Sequence, residues 1–432
     1  MFKFVGYSFD KENYIATFHY LDDKNSLEYT EKVQFQKNFE YDTSLNRILG
    51  RALELCFLLI GTSYYKAHPT ARVEANVPID AFKAQFLNVV YQEGLSQFAF
   101  ENGLTRRNLA HFVPNFSEKM IPMPLPYEKG GVLALQSGGK DSIVTATLLN
   151  YAKKNWSALY VGSSNNYPKV LEELDVPLER ITRFVDIAGL KRAEAVDGYK
   201  NGHVPVTYIL MSLAVVQAIL DRKSYVITSI GHEGEEPHSV ITDEKYGALE
   251  VNHQWSKTFI AEKYFADYVH RYISVDFEVG SLIRGYSELR IAEIFAKECW
   301  GRYGRKFSSC NVANYRQKNN NSKLTWCGNC AKCANSYLIF APFVPHKELK
   351  KVFGRKDLFK NTELTNDFMG LLGVDGMKKP FECVGEVNEL RQAYSMKPRS
   401  YGNLPFEVPA NEGFDYKKNY EVQNFVKDFL KN

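Results

Sequence analysis

The chain has 432 residues, of which 45% are hydrophobic, and its 54 basic and 50 acidic side chains leave a net charge of +4. This length allows two or three domains with large cores, and the near balance of charge disfavours a basic nucleic-acid-binding surface. No apolar stretch reaches the roughly 18 residues that span a membrane, and residues 1–10 lack the apolar core of a signal peptide. We therefore expect a cytoplasmic protein that binds no nucleic acid and does not insert into a membrane.

Residues 1–125 are predicted to form an N-terminal α+β domain. Alternating apolar and polar residues indicate strands at 3–8, 14–20 and 29–35, and helical spacing follows at 44–60 and 80–98. Three prolines at 122, 124 and 126 then form a stiff linker, because proline fixes its own φ and restricts the residue before it.

Residues 126–300 are predicted to form a second domain in which strands alternate with helices. The strands lie at 132–135, 158–161, 181–185 and 225–228, and the helices at 142–151 and 206–220. This alternation is typical of a doubly wound parallel sheet, which binds ligands at the carboxyl ends of its strands.

The most informative segment is Ser137-Gly-Gly-Lys-Asp-Ser142, between the first of these strands and its helix. Its glycines let backbone N–H groups approach an anion, and the helix start adds unpaired N–H donors and the positive end of the helix dipole. We therefore predict a phosphate site. The segment is not a Walker A loop, because Lys140 is followed by Asp141 and Ala134 stands where that motif has its first glycine.

The end of the second strand is predicted to complete the nucleotide site. Parallel strands end at one edge of the sheet, so Tyr160, Val161 and Gly162 should lie beside the loop. Asp141 has two interpretations. It either ligates a magnesium ion that separates it from the phosphates, or it stabilises the N-terminus of the helix.

Ionisable residues follow the strand at 225–228. His232, Glu233 and His253 could bind magnesium or transfer protons if they lie at the carboxyl end of that strand. A solvated acidic loop is the alternative. His203, just before the helix at 206–220, is a candidate substrate contact.

Four of the seven cysteines have the spacing of a metal site. Two residues separate Cys327 from Cys330, and two more separate Cys330 from Cys333. Cys310 could supply a fourth sulfur. Four sulfur ligands leave no open coordination position, so the ion would be structural zinc. A redox Cys-x-x-Cys pair and four unconnected thiols are the alternatives. Residues 301–432 are therefore predicted to form a zinc knuckle with a helical extension.

The loop at 137–142 resembles the PP-loop of ATP pyrophosphatases. Together with the cysteine knuckle it resembles the 7-cyano-7-deazaguanine synthase (QueC) group, which lacks the long segments that this chain has on either side. Six further strings, in order along nearly the whole chain, are similar to the UDP-N-acetylmuramoyl-L-alanyl-L-glutamate epimerase (MurL) family. They are Gly61-Thr-Ser-Tyr-Tyr-Lys66, Gly94-Leu-Ser-Gln-Phe98, Asn201-Gly-His-Val-Pro205, Val251-Asn-His-Gln254, Trp326-Cys-Gly-Asn-Cys-Ala-Lys-Cys333 and Lys379-Pro-Phe-Glu-Cys-Val-Gly385.

The resemblance implies a fold and a reaction. The fold would be an α/β doubly wound parallel sheet of the PP-loop (HUP-like) type, with the N-terminal α+β domain and the zinc-knuckle extension added. With ATP and Mg²⁺, the enzyme would adenylate the terminal L-glutamate of the UDP-linked muramoyl dipeptide and release pyrophosphate. Activation would make the α-proton removable, reprotonation on the other face would give D-glutamate, and water would release AMP.

The resemblance suggests roles for the residues of the loop, and the chemistry of the reaction suggests candidates for the other roles. Ser137, Gly138, Gly139 and Ser142 would hold phosphates, and Lys140 and Asp141 would act beside them. For the base we favour His232 or His253, with Glu233 and Cys383 as the other residues whose chemistry allows it. The N-terminal domain and the tail at 379–385 would bind the nucleotide-sugar end of the substrate, with Lys66 as a candidate anion contact.

Two other functions are consistent with the loop. One is a QueC-like ligase that forms an amide or nitrile on a deazapurine or another carboxylate. The other is an enzyme directed at nucleic acid or at a protein partner, such as a tRNA thiolation enzyme or a defence-system subunit. The charge balance and the absence of cysteines near the loop argue against tRNA thiolation.

Overall fold

The computed structural model describes residues 1–118, 120–164, 166–232, 234–316 and 322–429. Its largest feature is a sheet of nine strands, in the spatial order β11-β8-β5-β6-β7-β3-β2-β1-β4, and a separate hairpin joins β9 and β10. The strands are β1 (Phe2–Asp10), β2 (Ile15–Asp22), β3 (Leu27–Gln34), β4 (Val73–Ala75), β5 (Val132–Leu135), β6 (Trp156–Gly162), β7 (Leu178–Phe184), β8 (Tyr225–Thr228), β9 (Ser239–Ile241), β10 (Leu249–Val251) and β11 (Glu278–Ser281).

Five neighbouring strands form the parallel half of the sheet. From β5 the chain adds β6 and β7 on one side, then crosses to add β8 and β11 on the other. The direction of addition therefore reverses between β5 and β8, and ligands of doubly wound sheets bind at such a reversal. This mixed sheet confirms the predicted α/β class.

The N-terminal strands continue the same sheet. β3 pairs antiparallel with β7, through Lys32 opposite Phe184 and Gln34 opposite Thr182, and β2, β1 and β4 follow outward. The edge of the parallel half is thus covered by residues from the first predicted domain. This pairing satisfies backbone groups that an open edge would expose.

Helices cover both faces of the sheet. The helices are α1 (Asn46–Ile60), α2 (Thr62–Tyr65), α3 (Ala81–Gln92), α4 (Ser96–Glu101), α5 (Lys140–Tyr151), α6 (Ile187–Glu194), α7 (Val206–Leu220), α8 (Phe259–Tyr268), α9 (Glu288–Ile294), α10 (Trp300–Tyr303), α11 (Ala331–Phe340), α12 (His346–Val352), α13 (Thr365–Leu372), α14 (Val387–Met396) and α15 (Asn424–Phe429).

Two hydrophobic cores lie on opposite faces of the sheet. Successive residues of a strand point to opposite faces, and Leu133 accordingly packs in one core while Val132 and Ala134 pack in the other. The first core holds α1, α3 and α7, and the second holds α5, α9, α11 and α14. The loop at 137–142 leaves the sheet between these two layers.

One helical run, residues 43–65, is long and apolar enough to cross a membrane by length and composition, which the apolar stretches of the sequence did not indicate. Within its most apolar window, 83% of the residues are buried inside the protein. Its central helix α1 packs against α7 in the first core. This run is therefore a core helix.

The helix predicted at 80–98 is two helices, α3 and α4, separated by a turn at Gly94. A Cβ at Gly94 would lie 2.4 Å from the Val90 carbonyl oxygen and 3.1 Å from the Trp255 ring. Only glycine permits this close approach. The break redirects α4 toward the loops at the carboxyl ends of the strands.

Candidate active site

The loop at 137–142 has a backbone that requires glycine at Gly138. Its φ is +78°, and a Cβ there would lie 2.7 Å from both the Leu324 and Val170 side chains. The Ser142 hydroxyl closes the loop by donating to the Gly139 carbonyl oxygen (3.1 Å) and accepting from the Ser137 N–H (3.4 Å). The loop is therefore held in a fixed conformation at the N-terminus of α5.

Lys140 is surrounded by carboxylates. Its Nζ lies 2.5 Å from Asp141 Oδ1 and 3.3 Å from Glu288 Oε1. Burial raises the pKa of Asp141, but the charges of Lys140, Lys332 and Lys257 outweigh burial and hold that pKa below its usual value. Asp141 is thus ionised although it is buried. An ionised carboxylate is the form that can ligate magnesium.

Buried polar atoms point to a ligand at the ends of β5 and β8. Both amide atoms of Gln136, the Thr228 hydroxyl and the Ser229 hydroxyl are buried without a hydrogen-bond partner among the described residues. Such groups are costly unless water or a ligand satisfies them. They lie where the direction of strand addition reverses, next to the loop, so their chemistry is suited to the polar groups of a nucleotide.

The predicted residues at the end of β6 lie on the other side of the loop. β6 pairs with β5 in parallel, so Tyr160, Val161 and Gly162 extend past the point where β5 ends. Their backbone continues the pairing with β7. The structure therefore places them at the same sheet edge as the loop.

Three histidines from three segments come together near this edge. The His203 and His253 ring centroids are 4.5 Å apart, and the His238 and His253 centroids are 6.2 Å apart in an edge-to-face arrangement. His253 Nδ1 is 2.6 Å from the Gln97 side-chain oxygen, which comes from α4. Because only an N–H can bond that oxygen, His253 has its proton on Nδ1 and its Nε2 is an acceptor.

Burial keeps these rings neutral. Burial is the largest cause of the low pKa values, which are about 3 for His203 and His238 and about 4 for His253. The charges of nearby ammonium groups act in the same direction on all three rings. A neutral imidazole at pH 7 can accept a proton, as a general base must.

Lys257 and Lys332 connect the histidines to the loop. Lys257 lowers the pKa of His203, His253 and Asp141, and Lys332 lowers that of His253 and Asp141. Both ammonium groups therefore lie within electrostatic range of the loop carboxylate and of the histidines. This positive field is suited to an anionic substrate held between them.

His232 lies elsewhere. Its ring stacks on Tyr420, with centroids 3.4 Å apart, and its Nε2 is 3.7 Å from Glu386 Oε1. Of the two histidines favoured from the sequence, the structure brings only His253 into the histidine cluster. Glu233 is outside the described residues, and the Cys383 carbonyl oxygen accepts a hydrogen bond from Lys332.

Several residues of this site were not predicted from the sequence. Gln97, Glu288, Lys257 and Lys332 are far apart in the chain, and only the fold brings them together. The sequence carried a signal for three of them. Lys257 lies in the segment after His253, and Gln97 and Lys332 each lie in a string that resembles the family.

The four predicted cysteines form a cluster in which every pair of sulfurs lies within 4.8 Å. The Sγ atoms of Cys310 and Cys330 are 3.8 Å apart, and those of Cys327 and Cys333 are 3.7 Å apart. Tetrahedral zinc with Zn–S bonds of about 2.3 Å requires sulfur separations of about 3.8 Å. The donor set and its spacing therefore suit a structural zinc.

The fold and site define an α/β protein with a glycine-rich loop at the N-terminus of α5 and a cluster of four cysteines that could hold a metal ion. Residues 1–282 match the model of the MurL N-terminal domain, and residues 306–401 match that of the MurL C-terminal domain. The chain belongs to the MurL family.

Three relatives carry the name UDP-N-acetyl-alpha-D-muramoyl-L-alanyl-L-glutamate epimerase. The protein from Xanthomonas oryzae pv. oryzae (strain MAFF 311018) is 32% identical over 99% of this chain and 89% of its own length. Those from Micromonospora sp. (strain ATCC 39149 / NRRL 15099 / SCC 1413) and Salinispora tropica are 33% and 32% identical over 81% of this chain, and over 75% and 73% of their own lengths.

Proposed function

We propose that this protein is an ATP-dependent epimerase that inverts the terminal L-glutamate of UDP-N-acetylmuramoyl-L-Ala-L-Glu through an acyl-adenylate, in the cytoplasm. The names of the relatives support the substrate and the inversion. The observation that carries the mechanism is the cluster of neutral histidines linked to the loop by Lys257 and Lys332.

The loop would hold ATP. The backbone of Ser137, Gly138 and Gly139 and the Ser142 hydroxyl would contact its phosphates, with Lys140 beside them and Asp141 as the candidate magnesium ligand. A carboxylate oxygen of the substrate attacks the α-phosphorus, and the bond to pyrophosphate breaks. Magnesium, when bound, would neutralise the charge on the leaving pyrophosphate.

Adenylation explains why ATP is needed for an inversion. An ionised carboxylate makes the neighbouring C–H a very weak acid, whereas an acyl-adenylate removes that negative charge. His253 Nε2 takes the α-proton, and Lys257 and Lys332 stabilise the negative charge that develops. Reprotonation on the opposite face gives the D-glutamyl adenylate, and water releases AMP and the UDP-linked dipeptide that ends in D-glutamate.

The N-terminal segment contributes to this site. Gln97 from α4 fixes the tautomer of His253, and Lys66 lies beside His203. We therefore propose that residues 1–125 take part in binding the large UDP-linked substrate, together with the tail at 379–385. Lys379 in that tail pairs with Glu236 of the loop after β8.

The nucleotide products test the first step. With Mg²⁺ and the UDP-linked dipeptide, the protein should convert ATP to AMP and pyrophosphate, and Lys140→Met and Asp141→Asn should each lose most of this activity. ADP and orthophosphate as products would contradict the proposal. Incorporation of ammonia into the dipeptide would favour the QueC-like ligase instead.

A further inference from the structure

Lys66 carries a charge that the described protein does not balance. Its Nζ lies 2.5 Å from Asn201 Oδ1 and 3.1 Å from the Gly202 carbonyl oxygen, and it forms no ion pair among the described residues. Both acceptors are neutral, and the side chain is partly buried. Burial alone lowers its pKa. An ammonium held in this way is suited to an anionic ligand.

Lys66 is also next to the histidines. Burial, then His253, Lys257 and Lys66, lower the pKa of His203, so the Lys66 ammonium is within electrostatic range of that ring. The His203 ring in turn contacts His253. Gly202, whose carbonyl oxygen accepts a hydrogen bond from Lys66, immediately precedes His203 in the chain. Lys66 therefore lies beside the histidine pair, and among the described residues it forms no hydrogen bond with the loop at 137–142.

These three protein groups correspond to three groups of an activated glutamate. Only activation of the α-carboxyl acidifies the adjacent α-hydrogen, so the adenylate, the α-carbon and the free γ-carboxylate follow one another along the substrate. The corresponding protein groups are the loop, the histidine pair and Lys66.

We infer that Lys66, held by Asn201 and Gly202, binds the γ-carboxylate of the terminal glutamate and so selects an acidic residue at that position. This inference rests on the proposed function. The ammonium forms an ion pair with the carboxylate, whereas a neutral γ-amide can accept a hydrogen bond from it but cannot balance its charge. The same contact fixes the α-carbon against His253.

The test compares two substrates that differ only in charge, the UDP-linked muramoyl dipeptides that end in L-Glu and in L-Gln. Wild-type protein should bind the Glu form roughly 10- to 100-fold more tightly by calorimetry without ATP. Lys66→Met should weaken binding of the Glu form by a similar factor and leave the Gln form nearly unchanged. Lys24→Met, at an exposed lysine in the turn between β2 and β3, is the matched control and should change neither.

A second variant separates binding from folding. Asn201→Asp keeps the size of the side chain but gives Lys66 an internal counter-charge at 2.5 Å, so it should raise the KM for the Glu form at least about tenfold with the melting temperature preserved. KM should change more than kcat, because the carboxylate contact is already made in the ground state.

The outcomes distinguish this inference from the proposed function. If Lys66→Met weakens the binding of both substrates equally, the ammonium binds another anion such as the diphosphate, and the γ-carboxylate assignment is wrong. If it weakens neither, Lys66 is not part of the site. Either result can be obtained while the wild-type protein still inverts the Glu form, whereas failure of that inversion would overturn the proposed function itself.

Discussion

Gly138 is the residue of the loop at 137–142 that is most sensitive to substitution. Any other residue there would have to adopt a φ of +78°, and its Cβ would meet Leu324 and Val170 at 2.7 Å. Gly138→Ala should therefore lower the free energy of unfolding by about 1–2 kcal/mol and lower kcat/KM for ATP more than 10-fold. Gly130→Ala is the control, because a Cβ there meets nothing within 4 Å. Equal activity of the two variants would show that the loop tolerates rearrangement.

His203 predicts a pH dependence of stability. Its pKa is about 3 in the folded protein, compared with 6.5 for an ordinary histidine, so the unfolded chain binds a proton first as the pH falls. Stability that is fully present above about pH 6.5 is lost progressively as the pH falls toward 3. In His203→Gln, the free energy of unfolding, measured with denaturant, should fall less steeply over this range, by up to about 1.4 kcal/mol per pH unit. An unchanged slope would mean that His203 is solvated.

The sequence indicates some residues of the site and omits others for a physical reason. The loop at 137–142 is continuous in the chain, so its chemistry is visible in six letters. His232 and His253 are equivalent as letters, and only the stacking of His232 on Tyr420 separates it from the histidine cluster. Gln97 and Lys332 lie in strings that resemble the family, but their place beside His253 and the loop depends on tertiary packing, which the strings do not specify.

The cysteine knuckle predicts a strong coupling of metal to stability. Three backbone N–H groups donate to sulfur atoms of the cluster, from Ala313, Gly328 and Asn329, so the surrounding turns are shaped around the thiolates. Cys330→Ser should remove the bound zinc and lower the free energy of unfolding by several kcal/mol, because metal binding is coupled to folding. Metal analysis and thermal melts measure both effects.

Cys383→Ser is the control for that experiment, since Cys383 lies outside the cluster. It should retain one zinc per chain. If Cys330→Ser also retains one zinc and melts like wild type, the cluster is not a zinc site.

Elements with strong periodicity or a continuous apolar run could be predicted from the sequence even when short, whereas a helix broken at a glycine and a weakly apolar edge strand could not. The bounds of β5, α7 and β8 match the predicted ranges. The prediction of a single helix at 80–98 was wrong, because close packing against backbone and a ring at Gly94 breaks that helix in two. β11 has four residues and includes a glycine, so its pattern is too weak to stand out, although it is an edge strand of the main sheet.

At the scale of the whole molecule, one sheet joins the N-terminal strands to the parallel half. The core on the face of α1 and α7 also mixes residues of both parts, such as Phe57 and Val226. A fragment of residues 126–432 would expose the edge of β7 and half of this core, so it should aggregate or bind hydrophobic dyes when expressed alone. A soluble, cooperatively melting fragment would show that the two parts fold independently.

The central claim is that an activated glutamate is deprotonated and reprotonated at its α-carbon. The most direct test is incubation of the UDP-linked L-Ala-L-Glu substrate with the protein, ATP and Mg²⁺ in D₂O, followed by mass spectrometry and chiral analysis of the terminal residue. We predict D-glutamate that carries one deuterium at the α-carbon, formed together with AMP. Recovery of unlabelled L-glutamate while ATP is consumed would contradict this account.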